Sequence, residues 1–203
     1  MDLNTGKTLG GAGALLMFVG FLPYVSTYGV IPLVGLILLL IGAKALADNY
    51  KEEGIFNNAL YGVIAVIIGV AIAAALAFIV FVNFFNDVGF TFSNISTWQN
   101  MVSQVTQSQW MDAFFRNAGY IFLTLIVFFV FIVVSAVFFR KSMTLSAQKT
   151  GVHLFSSAGL VLLIGAILTI VIFGIILLWI SLLLIAIAFF QIRAAALTQP
   201  PPP

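Results

Sequence analysis

The chain has 203 residues, of which 63% are hydrophobic and only 7% are charged, with a formal net charge of +2. Globular domains carry about 25% charged residues, so this composition excludes an ordinary soluble fold. One histidine and no cysteine exclude disulfides, thiolate-bound metals and clusters of several histidines. We expect a multi-pass protein of the cell membrane whose partner is the lipid bilayer, with no cofactor and no nucleic-acid partner.

Six apolar stretches are long enough to cross a bilayer as helices. About 17 to 23 residues at 1.5 Å each match a hydrocarbon core of about 30 Å. Unbroken apolar runs favour helices over the alternating strands of a membrane barrel. The predicted spans are Leu9–Val25, Val30–Ala47, Leu60–Val82, Ala118–Phe139, Val152–Val171 and Gly174–Gln191. The sequence therefore predicts an all-α integral membrane protein, with one domain over residues 1–198 and a disordered proline tail, Gln199–Pro203.

The basic residues predict the orientation of these spans. Only Arg116 falls on one side of the predicted path through the membrane. The other side carries Lys7, Lys44, Lys51, Arg140, Lys141, Lys149 and Arg193. Because cytoplasmic segments are enriched in Lys and Arg, both chain ends are predicted to be cytoplasmic.

The inner segment between the second and third spans, Asp48–Asn58, predicts a helix boundary. We expect the second span to continue as a helix past the membrane surface, with Gly54 as its stop. Asn57 or Asn58 is then the predicted N-cap of the third span.

The first and last hairpins resemble each other at an offset of 145 residues. Three glycine pairs carry the match: Gly6 with Gly151, Gly20 with Gly165 and Gly29 with Gly174. Because both hairpins begin and end inside, this predicts a parallel repeat about an axis along the membrane normal. Their outer turns are short, so the sequence leaves open whether these hairpins cross the membrane fully.

The outer segment, residues 84–117, is the only long connection on the outer side. Ser96-Thr97-Trp98-Gln99 fits a capping box, and apolar residues follow at helical spacing. This pattern predicts an interfacial helix from Thr97 to about Phe115 that continues into the fourth span. The alternative is a partner surface or lid formed by Trp98, Met101, Val102, Val105 and Trp110. Asn94 begins an N-glycosylation sequon in the same segment.

Small residues recur every four positions in the third span, at Ala65, Gly69, Ala73 and Ala77. Positions four apart share a helix face, and small residues there allow helices to approach closely in lipid. The stripe predicts close packing within the protein; an interface in a homo-oligomer or with another membrane subunit is the alternative.

The sequence contains no convincing catalytic or metal-binding constellation. No ionisable residue lies in the middle of a span, which argues against a proton-coupled pump. His153 shares a face with Ser156 and Ser157, but no carboxylate in that segment completes a triad. We therefore predict that the protein is not an enzyme.

Three segments resemble a known family. They are Met1–Gly11, Ala45–Leu60 and Ala158–Arg193, of which Tyr50–Asn58 is the most specific. They are similar to domain of unknown function family 996, whose members are small, mostly archaeal, multi-pass membrane proteins. The resemblance implies architecture and an archaeal source, and it brings no catalytic residues.

Two functions remain open at this point. The first is a structural or accessory membrane protein, as a subunit of a larger assembly. The alternative is a small transporter or channel for a neutral or apolar solute, which the repeated hairpins suggest.

Overall fold

The structure is a computed structural model that describes residues 1–22, 29–90, 98–102, 104–171 and 173–192. Within those ranges every regular element is helical. The helices are α1 Leu3–Gly20, α2 Val30–Tyr50, α3 Glu53–Val88, α4 Trp98–Val102, α5 Gln107–Thr150, α6 Leu154–Leu168 and α7 Gly174–Gln191, with a 3₁₀ turn at Thr169–Val171 after α6. The predicted all-α class is confirmed for the described residues.

Five of the described segments are long and apolar enough to cross a membrane: α2, α3, α5, Leu154–Val171 and α7. They contain the second to sixth predicted spans almost completely. Helix α1, from the first predicted span, is not among them because it begins at Leu3 and so includes Asn4 and Lys7. Its buried residues are glycines and Ala14, which add little hydropathy.

The chain divides into two compact units. The first unit comprises the described residues of Met1–Ala65 and Ile132–Pro203, and the second is Val66–Phe131. Helices α3 and α5 each contribute to both units.

Helix α1 packs against both α2 and α7 within the first unit. Its glycines bring backbones together: a Cβ atom at Gly13 would lie 2.6 Å from the Gly35 carbonyl oxygen of α2. On its α7 side, Gly10 and Gly11 face the rings of Phe189 and Phe190. The core of the unit consists of Ala14, Leu39, Ala43, Leu46, Ala47, Ile55, Ala59, Met143, Ala147, Phe155, Ala158, Ile185, Ala186, Ala188, Phe189 and Ile192.

The second unit is a pair of helical segments from α3 and α5, together with α4. A Cβ atom at Gly69 of α3 would collide with the side chain of Phe131 of α5. Near the C-terminal end of α3, Arg116 Nη1 lies 3.0 Å from Asp87 Oδ1. The buried amide of Asn117 donates to Asp87 Oδ2 at 2.8 Å and to the Ala113 carbonyl at 2.9 Å.

The helix boundary in the first inner segment lies three residues earlier than predicted. Lys51 ends α2 in the left-handed region (φ 51°), and its N–H donates to the Ala47 carbonyl. Helix α3 begins at Glu53, so the predictions of Gly54 as a stop and Asn57 or Asn58 as an N-cap are wrong. A Cβ atom at Gly54 would lie 2.8 Å from Leu145 Cδ1, so this glycine allows close packing on α5.

The outer helix is interrupted, which corrects the prediction of a continuous helix from Thr97. After α4 the chain restarts a helix at Gln107, and this helix continues into the fourth predicted span as expected. Thr106 and Gln109 form a reciprocal capping box at this start. The Thr106 N–H donates to Gln109 Oε1 at 2.8 Å, and the Gln109 N–H donates to Thr106 Oγ1 at 3.4 Å. The predicted box begins at Ser96, which lies outside the described residues.

Candidate functional site

The four-residue stripe changes its environment along α3. Ala65 and Gly69 are buried, Ala73 is half-buried and Ala77 is exposed. Gly69 lies against Phe131 of α5, which is the close packing that the stripe predicts for this position. Ala77 lines a cavity of about 300 Å³ with Phe84. An interface with another chain at Ala73 and Ala77 stays a prediction.

The outer aromatic residues form a small cluster within the second unit. Its buried members are Val88, Phe90 and Ala113, and Phe84, Phe85, Trp98, Val105 and Trp110 pack against them. The rings of Phe85 and Trp98 stack with centroids 5.6 Å apart, and those of Phe84 and Trp110 stack at 5.8 Å. Three of the five residues predicted as a partner surface thus have packing partners within this chain.

The remaining outer predictions concern Val102, Met101 and Asn94. Val102 is 56% exposed, and Met101 lies in α4. Asn94 lies outside the described residues. A partner at this surface and a glycan at Asn94 stay predictions.

Hydroxyl groups connect α3 and α5 within the first unit. Ser135 Oγ donates to the Gly62 carbonyl at 2.8 Å, and Ser142 Oγ donates to the Ile55 carbonyl at 2.6 Å. Both pairs are buried. From the first pair to the second, α5 advances by seven residues while α3 goes back by seven, so the two helices run antiparallel here. These bonds agree with the expected use of hydroxyls for helix–helix contacts in a membrane.

His153 and its serine neighbours do not form a buried site. His153, Ser156 and Ser157 are all exposed, and His153 precedes the first residue of α6. The described residues contain no group of three or more His, Cys, Asp or Glu side chains that could hold a metal ion. The geometry therefore adds no support for an intramembrane enzyme.

Two cavities lie along α1, α6 and α7. The first, of about 830 Å³, is lined by Lys7, His153 and Gln191, among others. The second, of about 480 Å³, is mostly apolar and is lined by Met17 of α1 and Trp179 of α7. The Trp179 Nε1–H donates to the carbonyl of Phe18 at 2.8 Å, and their two rings stack 4.3 Å apart.

A buried layer of aromatic side chains lies, along α6 and α7, between the residues that line the first cavity and those that line the second. Phe155 and Phe189 are fully buried and meet edge to face, with centroids 5.1 Å apart. Gly10 of α1 packs on the ring of Phe189. No sequence pattern indicated this layer, because its aromatic residues come from helices distant in the chain.

Comparisons with known proteins agree with the family resemblance. The chain matches the family described as "Protein of unknown function (DUF996)" over residues 31–195. It is also 28% identical over 192 residues to an uncharacterised protein of the archaeon Methanocaldococcus jannaschii, covering 95% of this chain and 94% of that protein. No solved structure matches.

Proposed function

Because this chain belongs to the DUF996 family, whose description gives no activity, we propose a function from its geometry. The protein is a structural or accessory multi-pass membrane protein that assembles with other membrane subunits through the second unit. Its membrane arrangement has six spans, with both chain ends in the cytoplasm.

The cations of the first unit support this orientation. Lys7 Nζ donates to the Ile192 carbonyl at 2.8 Å, so the start of α1 meets the end of α7. Lys149, near the end of α5, pairs with Glu52 at 3.0 Å between α2 and α3. Basic residues remote in sequence thus gather at one end of the unit, as the positive-inside rule requires of a cytoplasmic face.

The packing of α1 supports a sixth span despite its low hydropathy. Its 18 residues extend about 27 Å, close to the thickness of the hydrocarbon core. Because α2 and α7 cover its glycine-rich faces, α1 presents less surface to lipid than an isolated helix would.

Equivalent contacts in the two hairpins support the proposed repeat. A Cβ atom at Gly20 would lie 2.7 Å from Pro32 Cδ, and one at Gly165 would lie 3.1 Å from Leu177 Cβ. Gly165 follows Gly20 by 145 residues, and Leu177 follows Pro32 by the same interval. A shared contact at shared positions is stronger support than apolar similarity, which is common among membrane spans.

The accessory role rests on one observation: the two longest helices are the least covered by their own chain. In the most apolar 18-residue stretch of each helix, 22% of α3 and 11% of α5 is buried within the protein. The corresponding buried share is 39% in both α2 and α7. The second unit exposes large apolar side chains such as Phe78 (63%) and Phe122 (65%). Another membrane subunit would cover these faces, and lipid alone is the competing occupant.

Site-specific photo-crosslinking in native membranes distinguishes these occupants. A photoreactive residue at Phe78 or Phe122 is expected to give adducts with the mass of a second protein. Ile37 of α2 is a matched control because it is also apolar and half exposed (50%) but belongs to the first unit. Adducts with lipid only at Phe78 and Phe122, together with a monomeric mass after mild extraction, would contradict the accessory role.

The two cavities along α1, α6 and α7 favour transport of a neutral or apolar solute as the second candidate. A path between them requires the Phe155–Phe189 layer to open. If it is a gate, Phe189→Ala should raise the flux of a small neutral solute into liposomes carrying the purified protein. An exposed control, Phe173→Ala, should leave the flux at its basal rate. Equal flux in both variants and in empty liposomes would eliminate transport by this route.

A further inference from the structure

A third cavity lies where the apolar part of α5 ends. It measures about 490 Å³ and is bounded by residues from α3, α5 and α6 within the first unit. Its polar wall carries Arg140, Lys141 and Thr144 of α5 and Asn58 of α3. Val137 and Leu163 form an apolar wall on the side where the predicted spans continue. The cavity thus combines two positive charges with an apolar surface.

The two cations in this cavity lack carboxylate partners. In the part of the chain that the structure describes, which includes all six acidic residues, the ion pairs use Lys44, Arg116 and Lys149. Lys141 Nζ lies 5.6 Å from the centre of the Phe138 ring, and both cationic side chains belong to exposed residues. Their charge is therefore free to bind an anion from outside the chain.

The backbone around Arg140 is held in place by close helix packing. A Cβ atom at Gly159 of α6 would lie 3.2 Å from the Arg140 Cα and 3.0 Å from Met143 Cβ. One turn further along α6, Leu163 lines the cavity. The packing of α5 against α6 therefore fixes the cationic and apolar walls relative to each other.

We propose that this cavity binds the phosphate headgroup of an anionic membrane lipid. Arg140 and Lys141 follow directly after the fourth predicted span, which ends at Phe139, so their charges lie at the depth of the lipid headgroups. A guanidinium group pairs with two phosphate oxygens in a fixed geometry, and an ammonium group adds a point charge. The acyl chain lies along Val137 and Leu163. Basic pockets between membrane helices on the cytoplasmic side bind headgroups in this way.

Native mass spectrometry of the full chain from nanodiscs tests the site. The discs contain equal amounts of phosphatidylglycerol and phosphatidylcholine, and the readout is the lipid retained after the disc is removed. The wild type is expected to retain one phosphatidylglycerol. Arg140→Gln and Lys141→Gln should each weaken retention about fivefold and the double variant about 30-fold, at about 1 kcal/mol per cation.

Two further variants separate a lipid site from general attraction of anions. Lys51→Gln removes an exposed cation that does not line the cavity and should retain the lipid as the wild type does. Val137→Trp fills the apolar wall without changing charge and should release the lipid. Helical circular dichroism confirms that each variant is folded.

Three results would overturn the proposal. The first is retention of phosphatidylglycerol by the double variant at the wild-type level. The second is equal retention of phosphatidylcholine by the wild type. The third is complete displacement of the lipid by millimolar inorganic phosphate together with normal retention in Val137→Trp, which would identify a site for free anions.

Discussion

The tight contact between α1 and α2 makes Gly13→Ala the most informative substitution. A Cβ atom at Gly13 would lie 2.5 Å from the Leu39 nitrogen and 2.6 Å from the Gly35 oxygen. Both neighbours are backbone atoms, so no side-chain rotation relieves the clash. Non-bonded carbon atoms prefer separations of about 3.5 Å, so α1 and α2 must move apart by about 1 Å.

This displacement sets the expected loss of stability. A gap of about 0.5–1 Å removes a quarter to a half of the dispersion energy of each affected contact, and overpacking typically costs about 1–3 kcal/mol. Alanine recovers about 0.5–1 kcal/mol of that because it is a better helix former than glycine. We therefore expect Gly13→Ala to lower the free energy of unfolding by about 0.5–2 kcal/mol.

The assay is reversible unfolding in mixed micelles, followed by helical circular dichroism. Gly119→Ala is the matched control, because Gly119 is an exposed helical glycine of α5 and a Cβ atom there would meet no other atom within 4 Å. It should be neutral or stabilising by up to about 1 kcal/mol. If Gly13→Ala is as stable as Gly119→Ala, the close approach of α1 and α2 is wrong.

Three further substitutions test polar contacts by the same unfolding assay. Ser142→Ala removes a buried hydrogen bond between α5 and α3 and should lower the free energy of unfolding by about 1 kcal/mol. The control is Thr124→Val, which removes an exposed hydroxyl that bonds within its own helix and should cost less than half of that. Asp87→Ala removes an acceptor from the buried Asn117 amide and should lower the free energy of unfolding by about 1–2 kcal/mol. Asp87→Asn retains an oxygen acceptor and should cost less. Equal losses in the two variants would contradict the role of Asp87 as the acceptor for Asn117. Trp179→Phe keeps the ring stacking but loses the 2.8 Å bond to α1, so a loss of about 1 kcal/mol is expected and an unchanged stability would refute the contribution of that bond.

Hydrophobicity predicted the helices well because lipid requires long apolar runs with internally bonded backbones. Five segments are long and apolar enough to cross a membrane, as predicted, but α3 and α5, with 36 and 44 residues, extend well beyond their predicted spans. Helix ends were harder to predict. Lys51, rather than Gly54, adopts the left-handed conformation, and Gly54 serves the packing against Leu145 instead. A glycine in a sequence does not reveal whether conformational freedom or small size is the reason for it.

Contacts between remote segments account for most of what the sequence did not predict. The capping box at Thr106–Gln109 has the expected spacing and could have been found from the sequence, although Ser96–Gln99 has the same pattern. The cavity at Arg140 could not, because Asn58 and Leu163 come from other helices. The charge pattern indicated only that cations gather on one side.

Single-cysteine labelling is the most direct test of the proposed six-span arrangement. The chain has no cysteine, so each variant carries one reactive thiol. Gly29→Cys, Asp112→Cys and Phe173→Cys should react with an impermeant maleimide from outside intact cells, and Gln148→Cys should react only after permeabilisation. Protection of Gly29→Cys and Phe173→Cys from both sides, or their labelling only from inside, would contradict six spans with cytoplasmic ends.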